Sequence, residues 1–298
     1  MNQARQLHQV NEAVSFNYDQ AFSRNLGWVT ESEQQTLKTK KVAIAGVGGV
    51  GGQYCEVLAR LGVSRFHISD PDSFEVVNFN RQNCSGVSTI GSAKVEVLRK
   101  KILDINPEAQ IEVFAEGVRR ENLEDFLKGV DLYLDGLDFF VLNERLWLFD
   151  LLKQKNIPAL TVAPIGMGAS LIVFKEGSMS FRDYFGYHEQ HSDLQKALRF
   201  MIGLAPSLIS RKYQVDRSRV NFSLKKAPSM PMGVYLCGGV AGTTALKLLL
   251  NRGPVAAAPW SLHYDAYLQV YKKKYTWLGA ANPLQKLKLW IAQKIILK

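Results

Sequence analysis

Apolar residues along this chain recur with two different periods. Short aliphatic and β-branched runs stand at Lys41 to Ala45, Arg65 to Ser69, Ile111 to Phe114, Asp131 to Leu134 and Ala159 to Val162. Between them, apolar positions spaced near 3.6 residues predict helices over Tyr54 to Leu61, Ala93 to Leu103, Asn122 to Leu127 and Leu142 to Lys155. The short runs read as strands. Strands alternating with helices predict βαβ units. The fold class is therefore α/β, a Rossmann-like and mostly parallel sheet flanked by helices.

The rhythm changes near Pro164. Ala169 to Phe174 reads as one more strand. Residues 176–231 carry aromatics, Arg and Ser without a clear period, and read as a substrate-specific insertion. Gly233 to Leu250 returns to an apolar helix. Ser261 to Tyr271 reads as strand with an aromatic alternation at Tyr264 and Tyr267, within a smaller C-terminal antiparallel extension. Leu284 to Leu297 reads as a basic amphipathic helix.

Composition narrows the class. With 298 residues, 47% hydrophobic and 21% charged, the chain can bury a sizeable core and is not of the disordered type. No apolar run reaches the roughly 20 residues of a membrane span, and the polar stretch Met1 to Gln20 has no apolar signal core. A cytoplasmic location is the expectation. Cys55, Cys84 and Cys237 are odd in number and scattered, which gives neither a disulfide framework nor a zinc clip. The net charge of +10 is uneven: Asn251 to Lys298 carries +7, with eight basic residues against Asp265, and the rest of the chain only +3. The charge marks one local feature rather than a uniformly basic surface.

The chemistry begins at the end of the first strand. Gly46, Gly48 and Gly51 form G-x-G-x-x-G between a strand and a helix, where backbone N–H groups and a helix N-terminus can meet phosphate oxygens. Asp70 ends the second strand, 19 residues after Gly51, where an acid can accept a ribose hydroxyl. To this point a nicotinamide-dependent oxidoreductase fits equally well. The next stretch separates the readings. Asp72, Asn78, Arg81 and Gln82 share one loop, and Lys94 follows near a helix start. Arg can fork onto phosphate and Lys can act as a point charge, a set of triphosphate ligands that hydride transfer does not need. Asp135 and Asp138 end the fourth strand at the ligand side of the sheet, and either can hold Mg²⁺ against phosphates.

From Lys41 to about Ser170 the chain resembles the adenylation domain of the ThiF/MoeB/HesA ubiquitin-activating-like family. Gly46, Gly48, Gly49 and Gly51 match its glycine loop, Asp70, Asp72, Asn78, Arg81 and Gln82 its second element, Lys94 its lysine, and Asp138 the aspartate implied to hold Mg²⁺. The helix from Gly233 to Leu250 resembles a late helix of the family. The resemblance implies ATP and Mg²⁺, a homodimer, and adenylation of a substrate carboxylate with release of pyrophosphate. The catalytic set implied is Arg81, Lys94, Asp138 and an N-terminal arginine reaching the triphosphate, often across a dimer interface, for which Arg24 is the candidate. Phe79 and Phe139 depart from the family pattern, and its zinc cysteines are missing. The acceptor implied is the C-terminus of a ubiquitin-like or sulfur-carrier protein or a peptide. A dehydratase of threonylcarbamoyladenosine in tRNA, or a non-catalytic nucleotide-binding scaffold, is the alternative. The divisions expected are a helical segment (1–40), the ATP-binding adenylation domain (41–175), the insertion (176–231), a closing helix and strands (232–282) and the basic helix (283–298).

Three features stay outside that scheme. Cys84 lies in a polar loop near the expected site, as a nucleophile or as a bland loop thiol. His188 and His191 are spaced to share a helix face, but two ligands are too few for a metal site. In the last helix, Leu284, Leu287, Ile291 and Ile295 form a stripe beside Trp290, with Lys286, Lys288, Lys294 and Lys298 around it. That pattern suits a membrane surface, a protein or tRNA partner, or docking of the stripe on the chain's own domain.

Overall fold

A computed structural model describes residues 15–296 apart from 223, 225 and 226, with side chains as far as residue 294. Residues 1–14 of the expected helical lead-in, the side chain of Ile295, and Lys298 lie outside the described residues. The element order is α1 (Tyr18–Ala21), α2 (Glu31–Thr39), β1 (Lys41–Ala45), α3 (Gly49–Arg60), β2 (Arg65–Ser69), α4 (Lys94–Ile105), β3 (Gln110–Phe114), α5 (Leu123–Phe126), β4 (Leu132–Asp135), α6 (Leu142–Gln154), β5 (Ala159–Ile165), β6 (Gly168–Phe174), α7 (Phe181–Phe185), α8 (Asp193–Leu204), α9 (Pro231–Leu249), β7 (Trp260–Asp265), β8 (Val270–Tyr275) and α10 (Pro283–Ile296).

The strands form one sheet in the order β3-β2-β1-β4-β5-β6-β7-β8. The first five run parallel, and β6, β7 and β8 continue antiparallel. Chain order reverses between β1 and β4, and in such sheets the ligand crevice opens at the strand ends beside that reversal. Alternate residues of each strand serve opposite faces. Val42 and Ile44 pack with α3, α4 and α9, while Ala43 and Ala45 belong to a second core with α6, α7 and α8. The central strands β1 and β4 are largely apolar because both of their faces are covered, whereas the edge strand β3 keeps Gln110 and Glu112 exposed.

Two expectations are corrected. Residues 176–231 are not aperiodic: α7 and α8 lie within them, and their rings build the second core. Phe181 stacks on Phe149 at 4.2 Å between ring centroids, and Phe185 packs on Phe200 at 5.0 Å. The aromatics masked the helical period because nearly every side of α7 is buried. The single strand expected over Ser261 to Tyr271 is a hairpin, β7 and β8, turning after Asp265, whose carboxylate accepts the Leu268 N–H at 3.0 Å.

Against the expectation that no apolar segment reaches the length of a membrane span, helix α9 is long and apolar enough to cross a membrane by length and composition, yet half of it is buried here against the sheet. Pro231 occupies its first turn, where a missing N–H costs nothing. Gly238 and Gly242 bring it down on Val57 of α3. A side chain at Gly242 would run into Val57 Cγ1. Gly242→Val is therefore expected to cost about 1–3 kcal/mol, read as a lower urea midpoint with an unchanged slope.

Candidate active site

The loop after β1 must turn sharply to start α3. Gly46 makes the turn at φ +78°, and a side chain there would meet the Gly136 carbonyl from the loop after β4. Gly51 and Gly136 each pack on the Gly46 carbonyl, so the two crevice loops touch through glycine alone. Gly48 faces the Gln82 amide, and Gly49 lies under the Arg81 stem and Val234 of α9. Open backbone therefore surrounds the N-terminus of α3, the end with partial positive charge.

Asp70 is buried and fastens this loop. Its carboxylate accepts the Val47 N–H at 2.8 Å and the Asp72 N–H at 2.9 Å. Burial raises its pKa above the usual carboxylate range, while Lys94 and the two N–H groups pull the other way. Each oxygen keeps a lone pair free for a ribose hydroxyl. Lys94, at the start of α4, is buried and reaches Asp72 at 2.9 Å and Asp70 at 4.0 Å. Asp72 is exposed and thus serves as a holder for Lys94 rather than a buried ligand.

The Arg81 loop is built by Asn78. Its side-chain oxygen accepts the Glu75 N–H at 2.9 Å, and its carbonyl accepts from Arg81 and Gln82. Asn78 therefore shapes the loop. Arg81 donates to Val77 O and Asn80 Oδ1, both at 3.0 Å, and makes no ion pair with a described residue. The Gln82 side chain is buried with Oε1 unpartnered beside Gly48. Asn80 reaches across to the Ser229 carbonyl at 3.0 Å, joining this loop to the approach of α9.

Asp135 and Asp138 divide their roles. Asp135 is buried, accepts Arg145 Nε at 2.9 Å and the Thr161 hydroxyl at 2.9 Å, and is taken up by the protein itself. Arg145 also donates to the carbonyls of Val141, Leu137 and Asp138 at 2.7–3.0 Å, which fixes the whole loop after β4. Burial works against the Arg145 charge, but Asp135 more than offsets it and raises its pKa. Asp138 is exposed and uses one oxygen to accept the Phe140 N–H at 2.9 Å. It alone of the two has an oxygen free for a cation. Mg²⁺ is commonly held by one or two carboxylates together with substrate phosphates and waters, so a single free carboxylate beside a phosphate cradle fits it. The unpartnered Gln82 oxygen and the glycine-lined space at α3 fit a nucleotide.

Arg24 is not brought to this site within one chain. Tyr18 donates to the Gly62 carbonyl at 2.7 Å, and Asn25 to the Leu61 carbonyl at 3.4 Å, which ties the segment to the C-terminal end of α3. The glycine loop is at the other end of that helix, about 18 Å away for 12 residues. Cys84 is no activated nucleophile: burial pushes its thiol pKa up, with Glu56 adding to the rise. His188 and His191 stand with ring centroids 5.1 Å apart, and the described residues hold no group of three ligands for a metal. Sequence reasoning missed Arg145 and Thr161. The available signal was one arginine in the apolar run Leu142 to Leu152, on the inward face of α6.

The ThiF family pattern matches residues 22–277. A tRNA threonylcarbamoyladenosine dehydratase of Bacillus subtilis is 35% identical over 150 residues, 50% of this chain and 57% of that protein. The ubiquitin-like modifier-activating enzyme 5 of Caenorhabditis elegans is 34% identical over 250 residues, 78% of this chain and 52% of its own length. The chain thus spans about half the length of these curated relatives. The crystal structure of E. coli MccB with ATP shares the fold, with a TM-score of 0.63 at 18% identity, over 89% of this chain and 72% of that one.

Removing the Arg145 charge would leave Asp135 buried without a counter-ion. Arg145→Met is expected to cost about 3–5 kcal/mol in a denaturant melt, far more than Asp138→Ala, which touches an exposed side chain.

Proposed function

The chain belongs to the ThiF family, and from that premise we propose that it adenylates a substrate carboxylate with ATP and releases pyrophosphate. The observation that carries this reading is the meeting of the glycine loop and the Asp138 loop at the chain reversal, with Arg81 and Lys94 beside it. The carboxylate is ionised at neutral pH, so its attack on the α-phosphorus needs no general base. The protein's task is positioning and charge stabilisation. Asp70 holds the ribose, and Gly46, Gly48, Gly49, Gly51 and Gln82 line the nucleotide. Asp72 and Asn78 keep Lys94 and Arg81 in place, and these two cations meet the phosphates. Asp138 holds Mg²⁺, which supplies further charge neutralisation there. The crystal structure of MccB with ATP supports the same occupant.

Arg24 can join this set only from a second copy, which is the case for a homodimer. The acceptor is a protein or peptide C-terminus, a reading supported by the ubiquitin-like modifier-activating relative. The tRNA dehydratase relative supports tRNA as the second candidate. Three cysteines free of disulfides fit a reducing, cytoplasmic setting. In α10 the docked face is Gln285, Lys288 and Leu289, not the expected stripe; Leu284, Leu287, Trp290 and Ile291 face solvent. With Lys286 and Lys294 alongside, that surface suits an anionic membrane.

ATP–pyrophosphate exchange with Mg²⁺ tests the activity, run against carrier C-termini, peptides, small carboxylates and tRNA. Exchange that depends on one class names the substrate. Confirmed ATP binding without exchange for any of them favours the scaffold reading. Asp138→Ala is expected to lower exchange by about 100-fold or more with an unchanged melting temperature, and wild-type exchange by that folded variant removes the metal role. Leu287→Ser with Trp290→Ser is expected to abolish binding to anionic vesicles. Binding that survives deletion of residues 283–298 rules the membrane contact out.

A further inference from the structure

Eight buried side-chain polar atoms lack a partner among the described residues, among them Tyr187 OH, Arg199 Nε, Thr276 Oγ1 and Gln285 Oε1. The last three residues line a recess between α8 and α10, closed by Phe185, Ile202 and Leu289. Thr276 and Gln285 are 4% and 6% exposed, so neither atom is satisfied by bulk water. The recess is small. About 20 Å³ is open to the centre of a water-sized sphere, which is the scale of one or two small particles.

Its charge is one-sided. Arg199 is the only ionised residue in the lining, which contains no carboxylate. Burial lowers the Arg199 pKa, and only the Tyr187 phenol opposes that. Nearby, His191 on the approach to α8 and Lys288 on α10 with Lys272 and Lys274 on β8 are bases, while the Asp183 carboxylate next to Tyr184 is exposed and takes the Ser180 hydroxyl. Gly186 makes room for the guanidinium, since Nη1 lies 2.8 Å from where a side chain on Gly186 would begin. Gly186 ends α7 at φ +66°, a conformation that already favours glycine.

Arg199 is partly exposed, but its Nε is enclosed without a partner, and an enclosed guanidinium N–H with no counter-charge is costly, as are unpaired hydroxyl and amide groups. A neutral water can satisfy the hydroxyl and the amide but leaves the charge uncompensated. We propose that this recess binds a small, weakly hydrated monovalent anion of halide size, held by Arg199, Thr276 and Gln285, and that the anion clamps α10 onto α8. Arg199 and the Thr276 hydroxyl donate to it. The Gln285 amide donates as well once its NH₂ is turned inward, an orientation that the amide can adopt by a flip. The rest of the lining is apolar, and guanidinium is itself weakly hydrated, so anions that shed water easily are preferred. Bromide should exceed chloride, and fluoride should fail.

The test is thermal unfolding of the full chain at constant ionic strength and constant cation. Gluconate is replaced stepwise by fluoride, chloride or bromide. A rise of about 2–5 °C in bromide is expected near ten times its Kd, growing with the logarithm of bromide concentration beyond it, with little change in fluoride or gluconate. Thr276→Val removes one donor to the anion and should raise the bromide concentration needed for the same rise about tenfold. Arg199→Gln should abolish the bromide-specific increment, and this difference is readable even if the variant melts lower. Bromide anomalous scattering in crystals should place one ion within hydrogen-bonding distance of Arg199. No bromide-specific rise, an equal rise in Arg199→Gln, or no ion in the recess would each overturn the proposal.

Discussion

The ion pair between Asp135 and Arg145 is the contact on which the arrangement of this molecule most depends. Both side chains are almost wholly withdrawn from water, at 1% and 2% exposure. Such a pair is tolerated only when every remaining donor and acceptor is satisfied. Here Thr161 completes the carboxylate, and three carbonyls of the loop after β4 complete the guanidinium. The same guanidinium lies over the Phe200 ring at 4.5 Å. One charged group thus joins strand β4, the crevice loop, helix α6 and helix α8. The geometry of Asp138 is a consequence, because its backbone carbonyl is one of the three that Arg145 holds.

The crevice is assembled from two loops that approach as closely as glycine permits. Gly46 and Gly136 leave no room for a β-carbon between them. Around this contact the charges are already paired: Lys94 rests on Asp72, and Asp70 takes two backbone N–H groups. A phosphate group entering here would compete with Asp72 for Lys94, one anion replacing another. The cation therefore stays solvated by carboxylate until a ligand arrives, and the site avoids a buried unpaired charge. Arg81 differs, since its guanidinium rests only on a carbonyl and an amide oxygen.

The outer parts of the molecule follow a different logic. Rings from α7 and α8 extend the core beneath β5 and β6, so the segment between the sheet's last two β-elements and the nucleotide half is a wall rather than a loop. Helix α10 packs on α8 through a mixed face, Gln285, Lys288 and Leu289, and leaves its apolar stripe outward, the reverse of an ordinary surface helix. One of the orphaned atoms under α10, Gln285 Oε1, arises from this orientation, because that amide is turned inward where the partners are mostly apolar.

Much of the nucleotide half was legible in the residue order. Five apolar runs became five parallel strands, with β2 matching its expected limits and β1 likewise. That the glycines, Asp70, Lys94 and Asp138 would gather at the strand ends was legible because their spacing encodes a local strand–turn–helix geometry. What the order of residues could not show depends on contacts between distant segments. Asp135 and Asp138 are alike in sequence, and only the approach of Arg145 and Thr161 reserves one for the protein and leaves the other free. Arg24 lies near the site in no sense that one chain provides, because the N-terminal segment is tied to the far end of α3. The face on which α10 docks was also undecidable from its period. Amphipathic spacing says that a helix has two faces, and the surface it meets decides which one is buried.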